Sequence, residues 1–350
     1  MRPVRVSLHW PVDGRFRLVA RSSRDVDTSS ADVDLAPEGS GMTSIAEFLL
    51  ENRQLEGDRH RKVALVVQGG GMRGVYSMGC LAELESRGLS DAFDVVVGAS
   101  AGAINGAYFL AGQANEAVRI YVDLLSSRRF VNPLRIWKIV NIDYYVDVVL
   151  KDLAPLNVPA IFASPTRLDV VLTDAETAEA VIVSNRDTTY DFKEVLRATA
   201  ALPSLYNRRV LVGDRLYVDG GVADSIPLVY AADSGSSEIL AVTTRAPGFR
   251  RREASRAFQL LARIMARHQS AAVRRKLGAE DLTFNRAMDL LEGVEERRGI
   301  KAWCVRPSSS DRLVGRTTSD KSRLRDCADM GREDMCRALD APYERSALAV

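Results

Sequence analysis

The run FDVVVGASAGAINGAYFL, residues 93–110, places the tightest constraint on how this chain folds. Val95, Val96 and Val97 make a short strand apolar on both faces, the pattern of a sheet covered by helices on either side. Small residues then crowd one polar side chain, Ser100, and beyond it Ile104, Ala107, Tyr108 and Ala111 recur at helical spacing. Ser100 therefore stands between a strand end and a helix start. Gly98 and Gly102 bracket it as G-x-S-x-G, which strips bulk from both sides so that the turn closes and the hydroxyl stands clear. That spacing describes a nucleophile elbow. A plain tight turn between strand and helix is the other reading of the same pentapeptide.

A second strand, glycine turn and helix precede the first. In KVALVVQGGGMRGVYSMGCLAELESRG, residues 62–88, Val63 to Val67 read as a buried strand. Gly69, Gly70 and Gly71 then clear the turn, and Val75, Met78, Leu81, Ala82 and Leu84 line one face of a helix closed by Gly88. Such a loop turns backbone N–H groups and a helix start toward one point, which suits negative charge. Three occupants compete for it. Gly69, Gly71 and Gly74 match the dinucleotide spacing, but Asp94 falls before the second strand and not at its end, where a ribose would meet it. A phosphate loop needs Gly-Lys-Ser/Thr, and Met72-Arg73-Gly74 stands there instead. An oxyanion hole needs donors near a nucleophile, and Ser100 ends the very next strand, expected beside this one in a parallel sheet. Arg73, at the helix start beside the loop, reads either as a surface ion pair or as a holder of substrate phosphate or carboxylate.

Composition narrows the remaining classes. With 350 residues, 46% of them hydrophobic, the chain is long enough for one large α/β domain with an appendage. A net charge of +2 from 48 basic and 46 acidic residues provides no global field for nucleic acid. Cys80, Cys304, Cys327 and Cys336 form no CxxC pair and have no histidines at ligand spacing, so neither a metal site nor a disulfide framework is expected. Residues 1–20 contain charges throughout and no apolar core, so no signal peptide is expected and the cytoplasm is the default location. The charge-free stretch from Val95 to Asn115 is long enough to span a bilayer, yet its glycines, Ser100, Asn105 and Gln113 argue for a buried core segment.

The flanks divide the chain further. Residues 1–60 read as an appendage: a hairpin around Pro11-Val12-Asp13-Gly14, a Ser-rich acidic linker expected to be disordered, and a helix opened by a Ser44–Glu47 capping box. The stretch after Asn132-Pro133 mixes Trp137, Tyr144 and Tyr145 with aliphatics, and reads as a core helix under a loop ahead of an aromatic substrate groove. Two hairpins follow, one joining Leu168–Thr173 to Ala180–Ser184 and one turning at Gly213-Asp214. The second ends in Asp219-Gly220-Gly221, an acid at a strand end with no bulky neighbour. Residues 250–276 form a basic amphipathic stretch, read as a helix packed on the domain ahead of a peripheral contact with an anionic membrane. Lys301 to Pro307 is a strand and a charged helix ends the chain.

Taken together, GGGMRG, GASAG and DGG in this order, with RATAALPSLY between the last two, resemble the bacterial patatin-like phospholipases. The resemblance covers residues 62–245 and leaves the first sixty uncovered. It implies a three-layer α/β/α fold around a largely parallel sheet, with a catalytic domain over 61–246 and a mainly helical extension over 247–350 packed on the same core. It further implies a serine lipid acyl hydrolase that needs no cofactor or metal and acts on a lipid or fatty-acyl ester. Under it Ser100 is the nucleophile, Asp219 the proton acceptor of a dyad, and the backbone of Gly69, Gly70 and Gly71, joined by Ala101, the oxyanion hole. Gly74, Gly98, Gly102, Gly220 and Gly221 are its motif glycines. A non-catalytic lipid-binding or regulatory protein on the same fold is the alternative, and the intact Ser100 and Asp219 count against it. Head group, acyl preference and oligomeric state are not legible.

Overall fold

Short runs of Val, Leu, Ile and Ala build the middle of one sheet, and helices cover both of its faces. The computed structural model describes residues 43–55, 57, 60–135, 138–251, 266–277, 280–293 and 299–343. The expected hairpin and linker of residues 1–42, Trp137, and residues 252–265 of the basic stretch lie outside the described residues.

The strands are β1 (Val63–Val67), β2 (Val95–Ala99), β3 (Arg167–Asp174), β4 (Ala180–Ser184), β5 (Val210–Val212), β6 (Arg215–Asp219), β7 (Glu238–Val242) and β8 (Lys301–Val305). The helices are α1 (Ile45–Gln54), α2 (Gly74–Ser86), α3 (Ala101–Leu110), α4 (Ala114–Arg119), α5 (Val158–Ala163), α6 (Phe192–Thr199), α7 (Leu228–Asp233), α8 (Ala271–Leu277), α9 (Glu280–Leu291) and α10 (Lys321–Leu339). Strands β3, β2, β1, β7 and β8 run parallel in that order. β4 and the β5–β6 hairpin pair antiparallel at the β3 end.

Side-chain alternation along β1 produces the three layers. Val63, Leu65 and Val67 join a core with Met78 and Leu81 of α2, Ile104 of α3 and Leu324 of α10. Ala64 and Val66 face the other way, onto Ala231 of α7 and Phe284 and Met288 of α9. A strand apolar on both faces is what the run of valines demands, since either face left in water would forgo roughly 25 cal/mol per Å² of burial. The charge-free run of residues 95–115 is likewise a buried strand and helix, and no described helix is long and apolar enough to cross a membrane.

Two peripheral helices are tied into this core. α1 begins with the expected capping box, Ser44 and Glu47 bonding reciprocally, and buries Ile45, Phe48 and Leu49. The ring of Phe48 stacks on Tyr343 at 4.0 Å. α10 is charged overall yet carries Leu324, Cys327, Ala328, Gly331, Met335 and Leu339 on one buried stripe. It lies so close to α2 that a Cβ placed on Gly79 would stand 2.1 Å from the Ala328 carbonyl oxygen.

Candidate active site

Ser100 leaves β2 with φ 56° and ψ −134°, a left-handed conformation shared by only one other non-glycine residue, Ala178, among those described. Holding it costs about 1–3 kcal/mol and persists because the neighbours fix it. The Ser100 N–H donates to Thr199 Oγ1 at 2.9 Å, and Thr199 Oγ1 in turn donates to the Val171 carbonyl at 2.7 Å. Thr199 ends α6 and comes from the RATAALPSLY motif, in which sequence reading assigned it no task. Gly102 lets the end of β1 lie against the first turn of α3: a Cβ there would stand 2.2 Å from the Val67 carbonyl oxygen. The bracketing glycine is therefore a packing requirement.

β3 brings the acid to the serine. Its residues 169–171 pair with β2 and β4, and residues 172–173 pair with β4 and β6, so β2 and β6 must share the same edge. Ala99 faces Val171, and Asp219 faces Leu172, the next residue along. Two strands of opposite direction thus end against one another on a common template. Ser100 Oγ donates to Asp219 Oδ2 at 2.7 Å, while Asp219 Oδ1 accepts from the Gly221 N–H at 2.8 Å. The Asp-Gly turn and the contact with Ser100 use different oxygens of one buried carboxylate.

The glycine loop adjoins the elbow. A Cβ on Gly69 would lie 3.0 Å from Ser100 Cβ and 3.1 Å from the Ala101 nitrogen. The loop is fastened on both sides: Thr244 Oγ1 donates to the Gly69 carbonyl at 3.0 Å, and the Met72 N–H donates to the Arg316 carbonyl at 3.0 Å. Gly71 adopts φ +59° where Arg316 passes, and a Cβ there would meet the Arg316 carbonyl oxygen at 2.7 Å.

Ser100, Asp219, Gly69, Gly70, Gly71 and Ala101 all line one cavity holding about 1010 Å³ of empty space, part of it open to solvent. Ile104, Tyr121, Phe130, Tyr145 and Leu205 supply apolar wall. Tyr121 and Tyr145 lie on wide π-helical turns, Ile120–Leu125 and Tyr144–Leu153. The segment read as a core helix under a loop is thus both: Tyr145 is buried and also lines the cavity, whereas Tyr144 does not.

Arg73 is not a surface ion pair. It is buried, its Nε donates to the Val314 carbonyl at 3.1 Å, and it shares the cavity wall with Arg245, Arg251 and Arg316. Burial, with the charges of Arg316 and Arg251, pushes Arg73 down to about 10, and burial with Arg73 and Arg316 pushes Arg245 down to about 9. Both remain cationic at neutral pH. Neither described histidine lines the cavity: His60 lies 3.7 Å from Asp94, and His268 Nε2 accepts from Arg267 at 3.0 Å. His9 is outside the described residues. Among the described residues no three His, Cys, Asp or Glu side chains gather into a metal site.

The family model for the patatin-like phospholipases matches residues 65–232. Residues 65–232 belong to the patatin-like phospholipase family. The patatin-like span contains the glycine loop, the elbow and Asp219, and ends before β7. Uncharacterized protein YjjU of Escherichia coli (strain K12) is 27% identical over 197 residues, 52% of this chain and 52% of that protein. The chain thus spans about half the length of that curated relative. Among solved structures, VipD from Legionella pneumophila is 14% identical with a TM-score of 0.48, covering 80% of this chain and 67% of that one. Human GIVD cytosolic phospholipase A2, in complex with methyl gamma-linolenyl fluorophosphonate, is 11% identical with a TM-score of 0.38, covering 85% and 63%. The mixed α/β fold, with its mostly parallel sheet between helical layers, is that of patatin-like phospholipases.

Part of the basic stretch of residues 250–276 is described. In α8 Val273 is buried beside Val218 and Val222, so this end packs on the domain. Residues 252–265, which carry most of its apolar face, lie outside the described residues.

Proposed function

We propose that this chain is a serine lipid acyl hydrolase working through a Ser100–Asp219 dyad. The observation that carries the reading is the 2.7 Å hydrogen bond from Ser100 Oγ to Asp219 Oδ2, made from a strained elbow on the wall of a largely apolar cavity. An ester carbonyl above Ser100 is attacked by Oγ as its proton passes to Asp219. N–H groups from the Gly69, Gly70 and Gly71 loop and from Ala101 receive the charge that develops on the carbonyl oxygen, each donor contributing on the order of 3 kcal/mol. Collapse breaks the ester C–O bond, and the departing alcohol takes the proton from Asp219. The acyl chain stays on Ser100, lying against the apolar wall that includes Phe130 and Tyr145. Water, deprotonated by Asp219, then attacks the acyl carbonyl and releases the fatty acid, returning the proton to Ser100. No step calls for a metal or cofactor.

A peripheral membrane encounter through residues 250–276 is the accompanying expectation, decided by flotation with phosphatidylglycerol vesicles at low salt. The activity itself is tested by fatty-acid release from a panel of phospholipids, lysophospholipids and acylglycerols. The wild-type chain is expected to release fatty acid and Ser100→Ala to lose at least about 10³-fold in kcat. Turnover unchanged in Ser100→Ala, or no ester accepted by the wild type, counts against a serine hydrolase and favours a lipid-binding protein on the same fold.

A further inference from the structure

Among the described residues four arginines and one acid, Asp219, line the cavity, and the Asp219 carboxylate is already bonded to Ser100 and Gly221. The cations come from separate parts of the chain. Arg73 follows β1, Arg245 and Arg251 follow β7, and Arg316 follows β8. Three of them lie beyond the span that matches the family model. In the sheet order β3, β2, β1, β7, β8 all four therefore enter from the β1 side of Ser100, whereas Ile104, Phe130 and Leu205 come from elements that follow β2 and β3. Ser100 separates a cationic end from an apolar end.

A backbone carbonyl and two aromatic rings help to hold three of these side chains in place. Arg73 Nε donates to the Val314 carbonyl. The Arg245 guanidinium lies 4.2 Å from the centroid of the Phe249 ring and that of Arg251 lies 4.5 Å from the centroid of Phe284. Arg73 and Arg316 also flank the glycine loop, since a Cβ on Gly70 would lie 3.4 Å from Arg73 Cβ and one on Gly71 would lie 3.6 Å from Arg316 Cβ. Burial first, and their mutual repulsion second, push Arg73 and Arg245 down, and an anion bound among them relieves that repulsion. Planar guanidinium forks converging from several directions match the several oxygens of a phosphate.

We propose that Arg73, Arg245, Arg251 and Arg316 form a head-group subsite for a phosphomonoester dianion, making the preferred substrate an ester lipid that ends in a terminal phosphate. The assignment rests on Ser100 being the nucleophile that this head group positions. A dianion offsets more of the clustered charge than the single charge of a phosphodiester does, and a head group that also carries a trimethylammonium brings a like charge toward the arginines.

The test is equilibrium binding to the full-length Ser100→Ala chain, which holds substrate without turning it over, using dihexanoyl phosphatidic acid, dihexanoyl phosphatidylcholine and inorganic phosphate in parallel. Phosphatidic acid is expected to bind at least about 30-fold tighter than phosphatidylcholine, and phosphate alone at least about 10-fold weaker than phosphatidic acid. Adding Arg245→Gln and Arg316→Gln, with folding checked by circular dichroism, should remove most of that preference, about 10-fold per arginine, while a Lys pair at the same positions retains part of it. Equal binding of the two lipids, a preference unchanged in the Gln pair, or phosphate binding as tightly as phosphatidic acid overturns the head-group subsite. The wild-type chain separates the two claims. Ester hydrolysis without any phosphomonoester preference removes the subsite and leaves the hydrolase, whereas phosphatidic acid preference without ester hydrolysis removes the hydrolase and leaves an anion site.

Discussion

Thr199 Oγ1 accepts from the backbone N–H of Ser100 at 2.9 Å and donates its own O–H to the Val171 carbonyl at 2.7 Å, so α6 braces the strained elbow against β3. Thr199→Val removes both bonds without changing shape and leaves the Ser100 N–H without this acceptor, at a cost of about 1–3 kcal/mol. Because the elbow geometry depends on it, kcat is expected to fall about 10- to 100-fold with KM little changed, and Thr199→Ser to restore most of the loss. A kcat loss that Thr199→Ser fails to restore would show that the methyl, through packing, matters more than the hydroxyl.

The contact between α2 and α10 leaves no room for a side chain. Gly79→Ala forces a Cβ toward the Ala328 carbonyl oxygen, 2.1 Å away in the present backbone, and both partners are helix backbone. Urea unfolding is expected to register a loss of about 1–3 kcal/mol. An unchanged midpoint would mean that α10 docks less tightly on α2 than described.

Acid stability has a local contributor in Glu292. Hydrogen bonds from Arg250 and then from Arg306, at 2.5 Å and 2.6 Å, outweigh burial and hold its carboxyl down to about 2 from an ordinary 4.5. The folded-state value is depressed, so the stabilisation is fully present above about 4.5 and is lost as pH falls toward 2. The pair is partly exposed and solvent screening reduces its worth to about 1 kcal/mol. Glu292→Gln should lower Tm at pH 7, and the gap from wild type should close between those two values; a gap independent of pH contradicts the assignment.

No histidine is expected to take part in turnover. His60 and His268 lie off the cavity wall, so His60→Gln and His268→Gln should each retain kcat to within about 2-fold. A loss of several orders of magnitude in a folded His268→Gln chain would replace the dyad with a triad.

The local units were legible and their meeting points were not. β1 with its glycine loop and β2 with its elbow follow from unbroken apolar runs that stop at glycines, because strand, turn and helix are set by neighbours in sequence. The nearness of Asp219 to Ser100 instead depends on β2 and β6 sharing one edge of β3, a register that periodicity within either strand does not encode. The family resemblance supplied that pairing where spacing alone had none. Arg73 stayed open between a surface ion pair and an anion holder, because a charge at a helix start is ordinarily exposed and the Val314 carbonyl that accepts from its Nε lies more than two hundred residues away. The convergence of Arg245, Arg251 and Arg316 was invisible for the same reason, since each follows a different turn after β7 or β8. An aromatic groove at Tyr145 ranked second to a plain core helix because the π-helical turns there break the 3.6-residue spacing by which a helix face is read.

The most direct measurement is covalent labelling by a fluorophosphonate, with the adduct mapped by mass spectrometry in the wild type, Ser100→Ala and Asp219→Asn. One adduct per chain on Ser100 is expected in the wild type, none in Ser100→Ala, and labelling slowed by at least about 10²-fold in Asp219→Asn, which keeps the shape but loses the carboxylate base. An adduct on any other residue, or labelling of Asp219→Asn at the wild-type rate, contradicts a nucleophile at Ser100 activated by Asp219.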